Sequence, residues 1–240
     1  MNPANSLLRN EYSKRLYHAL GIRRIPSGRQ NTQHYRMPIL GEAGYKVLKP
    51  YAGPEIPPTE WTDRRYTTYP SDPSTFFAPL TSATGEEMLR GFWESGKPDL
   101  GGVWTPVAEH APTLVNYVKS LANPYGRVQL IRQPPNSLRE ARWGLHSDDN
   151  NRINPETNGW VVRLWLQLTD DPQSCLVLRQ TPFDKKSEVR IPLPKYSQIV
   201  VDSERIFHSG YHAGPNTRYG LITSLESTEH LQDWIKSQLP

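Results

Sequence analysis

Four side chains in this 240-residue chain have the types and order needed to hold a redox metal with a small acid beside it: His146, Asp148, His208 and Arg218. The first two sit in Trp143-Gly144-Leu145-His146-Ser147-Asp148, and in an extended backbone residues two apart point to the same side. His208 follows the apolar run Ile199-Val200-Val201 and a turn-like Asp202-Ser203-Glu204, and Arg218 comes ten residues after it. Two imidazoles and one carboxylate can cap one face of a ferrous ion, leaving the opposite face open for O2 and an organic ligand. A permanently charged guanidinium nearby suits a carboxylate on that ligand.

Each piece also has a plainer reading. A His-x-Asp that runs on into Asp149-Asn150-Asn151 describes a surface turn equally well. A lone histidine in an apolar strand is more often simply hydrogen-bonded, and an arginine is more often solvated. Context favours the chemistry, because Arg218 enters the apolar run Tyr219-Gly220-Leu221-Ile222-Thr223, where a charge needs a partner. His212, four residues past His208, competes for the role of second imidazole.

The elements that must position these residues are short strands. Apolar runs over 127–132, 139–146, 161–168, 175–179, 188–191, 198–201, 205–209 and 219–225 are separated by turn residues such as Asn158-Gly159, Asp170-Asp171-Pro172 and Gly214-Pro215-Asn216. This spacing predicts a sandwich or barrel of jelly-roll type. Helices are expected over 5–20, where Leu7, Leu8, Tyr12, Leu16 and Leu20 recur at helical spacing, and over 85–94, 112–121 and 229–239. Residues 22–84 show no readable periodicity beyond a short strand at 45–48. The expected plan is one mainly β domain: a helical, loop-rich N-terminal cap (1–124), a jelly-roll or cupin-like double-stranded β-helix core holding the metal site (125–226), and a C-terminal helix (227–240).

Composition narrows the function classes. Hydrophobic residues make up only 36% of the chain, but they cluster in the C-terminal half, which can therefore build a core. The single cysteine, Cys175, excludes an internal disulfide and points to a reducing compartment; its place in Cys175-Leu176-Val177-Leu178 reads as a buried, inert thiol. No apolar run reaches bilayer length, and Met1-Asn2-Pro3-Ala4 opens no signal pattern, so the expectation is a cytoplasmic protein. The net charge of +4 is mild and favours an anionic small ligand over nucleic acid, for which no basic stripe with interleaved aromatics is present.

Taken together, His146-Ser147-Asp148, the distal His208 and Arg218 on late strands of a jelly-roll resemble the Fe(II)/2-oxoglutarate-dependent oxygenases. More narrowly, Val161-Val162-Arg163-Leu164-Trp165-Leu166 and Val201-Asp202-Ser203 resemble the aspartyl/asparaginyl β-hydroxylase-like branch, which includes small amino-acid hydroxylases. The resemblance spans 127–226. It implies that His146, Asp148 and His208, rather than His212, bind iron as the catalytic centre. It further implies that Arg218 pairs with the distal carboxylate of 2-oxoglutarate and that Arg163 assists, although Arg163 is equally an ordinary sheet arginine. Two departures stand out: Trp165 where that branch often has histidine, and Gly220 where many relatives have a hydroxyl residue.

The implied reaction hydroxylates an unactivated carbon of a free amino acid or similar small polar metabolite, using Fe(II), 2-oxoglutarate and O2 and releasing succinate and CO2. The presence of Asp148 disfavours chlorination. Asp149, Asn150 and Arg142 are the candidate substrate contacts. The alternatives are the same chemistry on a peptide or protein side chain, and a non-catalytic cupin-like barrel that binds a small ligand or only a structural metal; the coexistence of Asp148 with Arg218 separates the last, because a structural zinc site would have no use for a co-substrate arginine.

Overall fold

The computed structural model describes residues 37–69, 72–154 and 159–240. The helix expected over 5–20 lies outside the described residues. Three helices and twelve strands follow in the described chain: β1 (Tyr45–Leu48), β2 (Thr67–Tyr69), β3 (Asp72–Pro79), β4 (Thr81–Ser82), β5 (Val103–Trp104), α1 (Pro112–Ser120), β6 (Tyr125–Gln133), α2 (Leu138–Trp143), β7 (Val161–Gln167), β8 (Ser174–Arg179), β9 (Val189–Pro192), β10 (Gln198–Val201), β11 (Phe207–His212), β12 (Arg218–Glu226) and α3 (Glu229–Ser237).

A seven-stranded sheet in the order β1-β10-β7-β12-β6-β3-β2 faces a three-stranded sheet in the order β11-β8-β9. The central strand β7 explains the layering. Every residue of Val161–Gln167 is buried, because both faces of this strand are covered. Its outward side chains Val162, Leu164 and Leu166 join Val128, Leu130, Val200, Leu221 and Leu225 in a core completed by Leu114 and Val118 of α1 and Leu231 and Ile235 of α3. Its inward Trp165 joins Ile131, Leu176, Leu178, Ile191, Ile199 and Val201 in a second core between the two sheets. Helices therefore brace one face of the large sheet, and the small sheet closes the other.

Two expectations are corrected. The run 139–146 does not form a strand: 138–143 is helix α2, held by a capping box in which Ser137 Oγ accepts from the Glu140 N–H (3.1 Å) and Glu140 Oε2 accepts from the Ser137 N–H (2.7 Å). The helix expected over 85–94 is also not formed; only Phe92–Ser95 makes a single 3-10 turn, closed by Gly96 in the left-handed region. The large sheet moreover draws β2 and β3 from the stretch that lacked periodicity, with Phe76, Phe77, Ala78 and Pro79 paired to Arg132, Ile131, Leu130 and Gln129 of β6.

Candidate metal centre

After α2 the chain becomes extended and runs antiparallel to β11. The contact is a single bridge in which the His146 N–H donates to the His208 carbonyl (3.2 Å) and the His208 N–H donates to the His146 carbonyl (2.9 Å). Two histidines 62 residues apart in sequence thus become a directly opposed cross-strand pair, their rings 4.5 Å apart between centroids. Two residues on, the Asp148 N–H donates to the Ser203 carbonyl (2.9 Å), which fixes the carboxylate on the same side. Among the described residues, His146, Asp148 and His208 form the one cluster whose ligand atoms all lie within 4.8 Å of one another.

Each side chain is oriented as a metal ligand is. His146 Nδ1 lies 2.9 Å from the Gly144 carbonyl and His208 Nδ1 lies 3.3 Å from the Ile206 carbonyl. A carbonyl fixes the proton on Nδ1 and leaves each Nε2 with a lone pair, and both Nε2 atoms are 3.9 Å from the same oxygen, Asp148 Oδ1. Burial, then His146, pushes the His208 imidazole down to about 4 against the pull of Asp148, so it is neutral and able to donate its lone pair.

The other carboxylate oxygen is already committed. Asp148 Oδ2 accepts from Arg163 Nε (3.2 Å) and Asn150 Nδ2 (3.3 Å). Burial alone would raise this carboxyl; Arg163 first, then His208, His146 and Arg127, outweigh it and hold it well below the usual range. Arg163 is itself fully engaged, donating to Ser224 Oγ (2.5 Å) and Asn150 Oδ1 (2.7 Å) with Asp99 Oδ2 at 3.6 Å. Asp99 also takes two bonds from Arg127, one from its backbone N–H (2.8 Å) and one from Nε (2.9 Å). Two aspartates and two arginines make this buried cluster neutral before any metal arrives.

Arg163, expected as a co-substrate contact, thus lies against Asp148 with each of its three nitrogens already bonded. Asn150 is equally occupied by Asp148, Ser203, Arg127 and Arg163. Arg142, on α2, makes a two-pronged bond to Glu188 (2.9 and 2.8 Å). A full partner set argues against a substrate contact for Asn150, and Arg142 is tied to Glu188 through two of its three guanidinium nitrogens. Asp149 stands half-exposed at the rim, 3.8 Å from Arg152. The sequence reading missed Asp99; a buried Arg163 demanded an acid, but nothing local pointed to a loop residue before β6. His212 has Nδ1 against Ser174 Oγ (2.8 Å) and Nε2 against the Asn216 carbonyl, so neither nitrogen is open to a metal.

Arg218 contrasts with Arg163. It is 2% exposed, and its Nε and Nη1 have no hydrogen-bond partner among the described residues. Burial pushes its pKa down to about 10, which leaves it charged at neutral pH. Gly210 locates it: a Cβ built there would lie 2.8 Å from Arg218 Nη2 and 2.4 Å from Gln133 Oε1, so any side chain at 210 would displace both groups. Residues 208 and 210 share one face of β11, about 7 Å apart along the strand. The unpaired guanidinium therefore lies over the same strand face as the His208 imidazole, one repeat along.

The loop that receives Asp148 carries a buried acid with its own consequence. Glu204 Oε2 accepts from the Asn151 backbone N–H (3.0 Å) and from Asn151 Nδ2 (2.8 Å), while Oε1 has no partner. Burial pushes this carboxyl up to about 7, against the Asn151 bonds and with help from Asp202 and Asp149. Glu204 favours the folded state fully below about pH 4.5; above that the unfolded chain ionises first, and the benefit is lost as pH rises through 7, a change on the order of 3 kcal/mol. Glu204→Gln keeps the acceptor and stays neutral. It should match the parent near pH 4.5 and exceed it in unfolding free energy at pH 8; parallel pH profiles from denaturant melts would refute the assignment.

No family model matches the sequence, and no curated protein matches it either. Among solved structures, the chain is similar to an oxidoreductase of the 2OG-Fe(II) oxygenase family from Burkholderia pseudomallei, with a TM-score of 0.51, 14% identity, and coverage of 80% of this chain and 93% of that one. It also matches a prolyl hydroxylase from Trichoplax adhaerens in complex with a hypoxia inducible factor peptide fragment (TM-score 0.46, 13% identity, 80% and 87% covered). A third match is HygX from Streptomyces hygroscopicus with nickel and 2-oxoglutarate bound (TM-score 0.42, 10% identity, 80% and 85% covered). At this identity the first likeness establishes the jelly-roll fold.

Proposed function

We propose that this protein is an Fe(II)- and 2-oxoglutarate-dependent dioxygenase that hydroxylates a free amino acid or similar small polar metabolite. The observation that carries this reading is the unpaired, buried Arg218 over the strand face that bears His208. A structural metal site has no need of such a group, whereas a metal-chelating acid with a second carboxylate supplies the missing partner. The donor set of two imidazoles and one oxygen of Asp148 suits Fe(II) and would leave the other side of the ion open. When bound, iron with 2-oxoglutarate and O2 supplies the oxidising power, and 2-oxoglutarate leaves as succinate and CO2. The protein's residues bind, orient and balance charge. Because Arg163 and Arg127 already neutralise Asp148 and Asp99, a divalent metal makes the pocket net positive, which a dianionic acid offsets.

The substrate reading rests on the exposed groups that follow the triad. His146 has 53% of its side chain exposed, and three and six residues further along the chain stand half-exposed groups of both signs, Asp149 and Arg152, 3.8 Å from each other. Charges of both signs suit a zwitterion. The test is an anaerobic titration with Fe(II) and 2-oxoglutarate, followed by succinate release over a panel of free amino acids and short peptides. A visible charge-transfer band and turnover with free amino acids are expected. Turnover with peptides alone would move the substrate to a chain-bound side chain, and metal binding without a band would leave a non-catalytic barrel.

A further inference from the structure

Trp165 places a buried donor on the inward face of β7. It is 7% exposed, and its Nε1–H has no hydrogen-bond partner among the described residues. Its register partners are Ile199 on β10 and Ile222 on β12, neither of which offers a side-chain oxygen. An unmade hydrogen bond in a core is costly, and an indole can only donate, so the site calls for an acceptor that the described residues do not supply.

The position says which acceptor. On the inward face of β7, Arg163 holds Asp148, and two residues on Trp165 meets the His208 ring edge-on at 5.3 Å between centroids. On the neighbouring β12, Ser224 touches Arg163, Ile222 lies opposite Trp165, and Arg218 begins the strand beyond Gly220. Trp165 thus stands between the metal ligands and the arginine, beside the space that an acid joining the two would fill. Three buried donor atoms without partners, Trp165 Nε1 and Arg218 Nε and Nη1, belong to this one inward face of the sheet.

We propose that the Trp165 indole N–H is a binding group for the acid co-substrate, donating to an oxygen at its metal-side end while Arg218 holds the far carboxylate. This inference rests on the 2-oxoglutarate reading above. It makes Trp165 a replacement for a polar second contact: neutral, donor-only and insensitive to pH.

The test uses full-length protein loaded with diamagnetic Zn(II) and 2-oxoglutarate as the probe. Indole N–H resonances are followed by ¹H–¹⁵N NMR, with Trp165 assigned by its loss in Trp165→Phe or, should that variant not fold, by its proximity to the His208 ring. Saturating 2-oxoglutarate is expected to move the Trp165 indole proton downfield. Trp165→Phe is expected to weaken 2-oxoglutarate binding about 10–100-fold, the loss of one bond to a charged acceptor, with Zn(II) affinity unchanged. Binding to the parent with an unmoved Trp165 resonance and equal affinity in Trp165→Phe overturns the inference and leaves the co-substrate reading intact. No binding to the parent overturns both.

Discussion

His146→Ala removes iron-dependent turnover and leaves the stability of the fold where it was. These two outcomes are separable because of how His146 is held. Its side chain is 53% exposed and makes a local contact to the Gly144 carbonyl. Its link to β11 runs through backbone N–H and carbonyl groups in both directions, which alanine retains. A surface change of this kind shifts unfolding free energy by no more than about 0.5 kcal/mol. The metal, however, loses one of three ligands. Changes to groups that merely orient a ligand already cost about 10–100-fold in affinity or activity, and removing the ligand itself exceeds that. His208→Ala is the less informative variant, since that ring is 3% exposed and packed against Trp165, so its loss also opens a cavity. The measurements are succinate release and a denaturant melt on the same preparation. A variant that melts like the parent and keeps more than a tenth of its turnover removes His146 from the metal centre.

The triad could be read in the sequence because two of its members are local to each other and the third lies on a strand that can be recognised by itself. Asp148 follows His146 by two residues, and β11 is announced by its own apolar residues. The strands β7, β8, β10 and β12 were equally plain, each being a β-branched or leucine-rich run between turn residues. What was hidden has three physical sources. In β3, prolines at both ends mask a strand whose pairing partner, β6, lies some fifty residues away. In 138–146, the apolar spacing fits strand and helix alike, and the deciding signal was the Ser137-Leu138-Arg139-Glu140 capping box, two polar residues rather than the apolar ones. Asp99 was hidden because its partners, Arg127 and Arg163, sit on separate strands; a buried arginine announces that an acid is needed without saying where the chain will find one. Arg163 shows the same limit from the other side: its burial was readable, but whether it faced ligand or Asp148 depended on the fold.

Replacing Arg218 with methionine is expected to stabilise the ligand-free protein and to abolish co-substrate binding. Opposite signs follow from one fact, that two of the three guanidinium nitrogens are buried without partners. In the ligand-free protein this charge has been taken out of water with no anion to meet it, and burial alone is what lowers its pKa. A thioether of similar reach fills the same space with no charge to desolvate, and exchanges of this kind gain about 1–4 kcal/mol. With the acid bound, the balance reverses. The parent gains stability by mass action, about 2.7 kcal/mol at a hundred times the dissociation constant, and the variant gains none. Unfolding curves of Zn(II)-loaded protein should therefore have the variant ahead without 2-oxoglutarate and the parent drawing level or passing it as 2-oxoglutarate is added. Arg218→Lys should fall between, keeping the charge but losing the two-pronged bond. If Arg218→Met proves less stable than the parent in the absence of ligand, the guanidinium is structural. The far-carboxylate role could not then pass to Arg163, because every nitrogen of that side chain already holds Asp148, Asn150 or Ser224 in place.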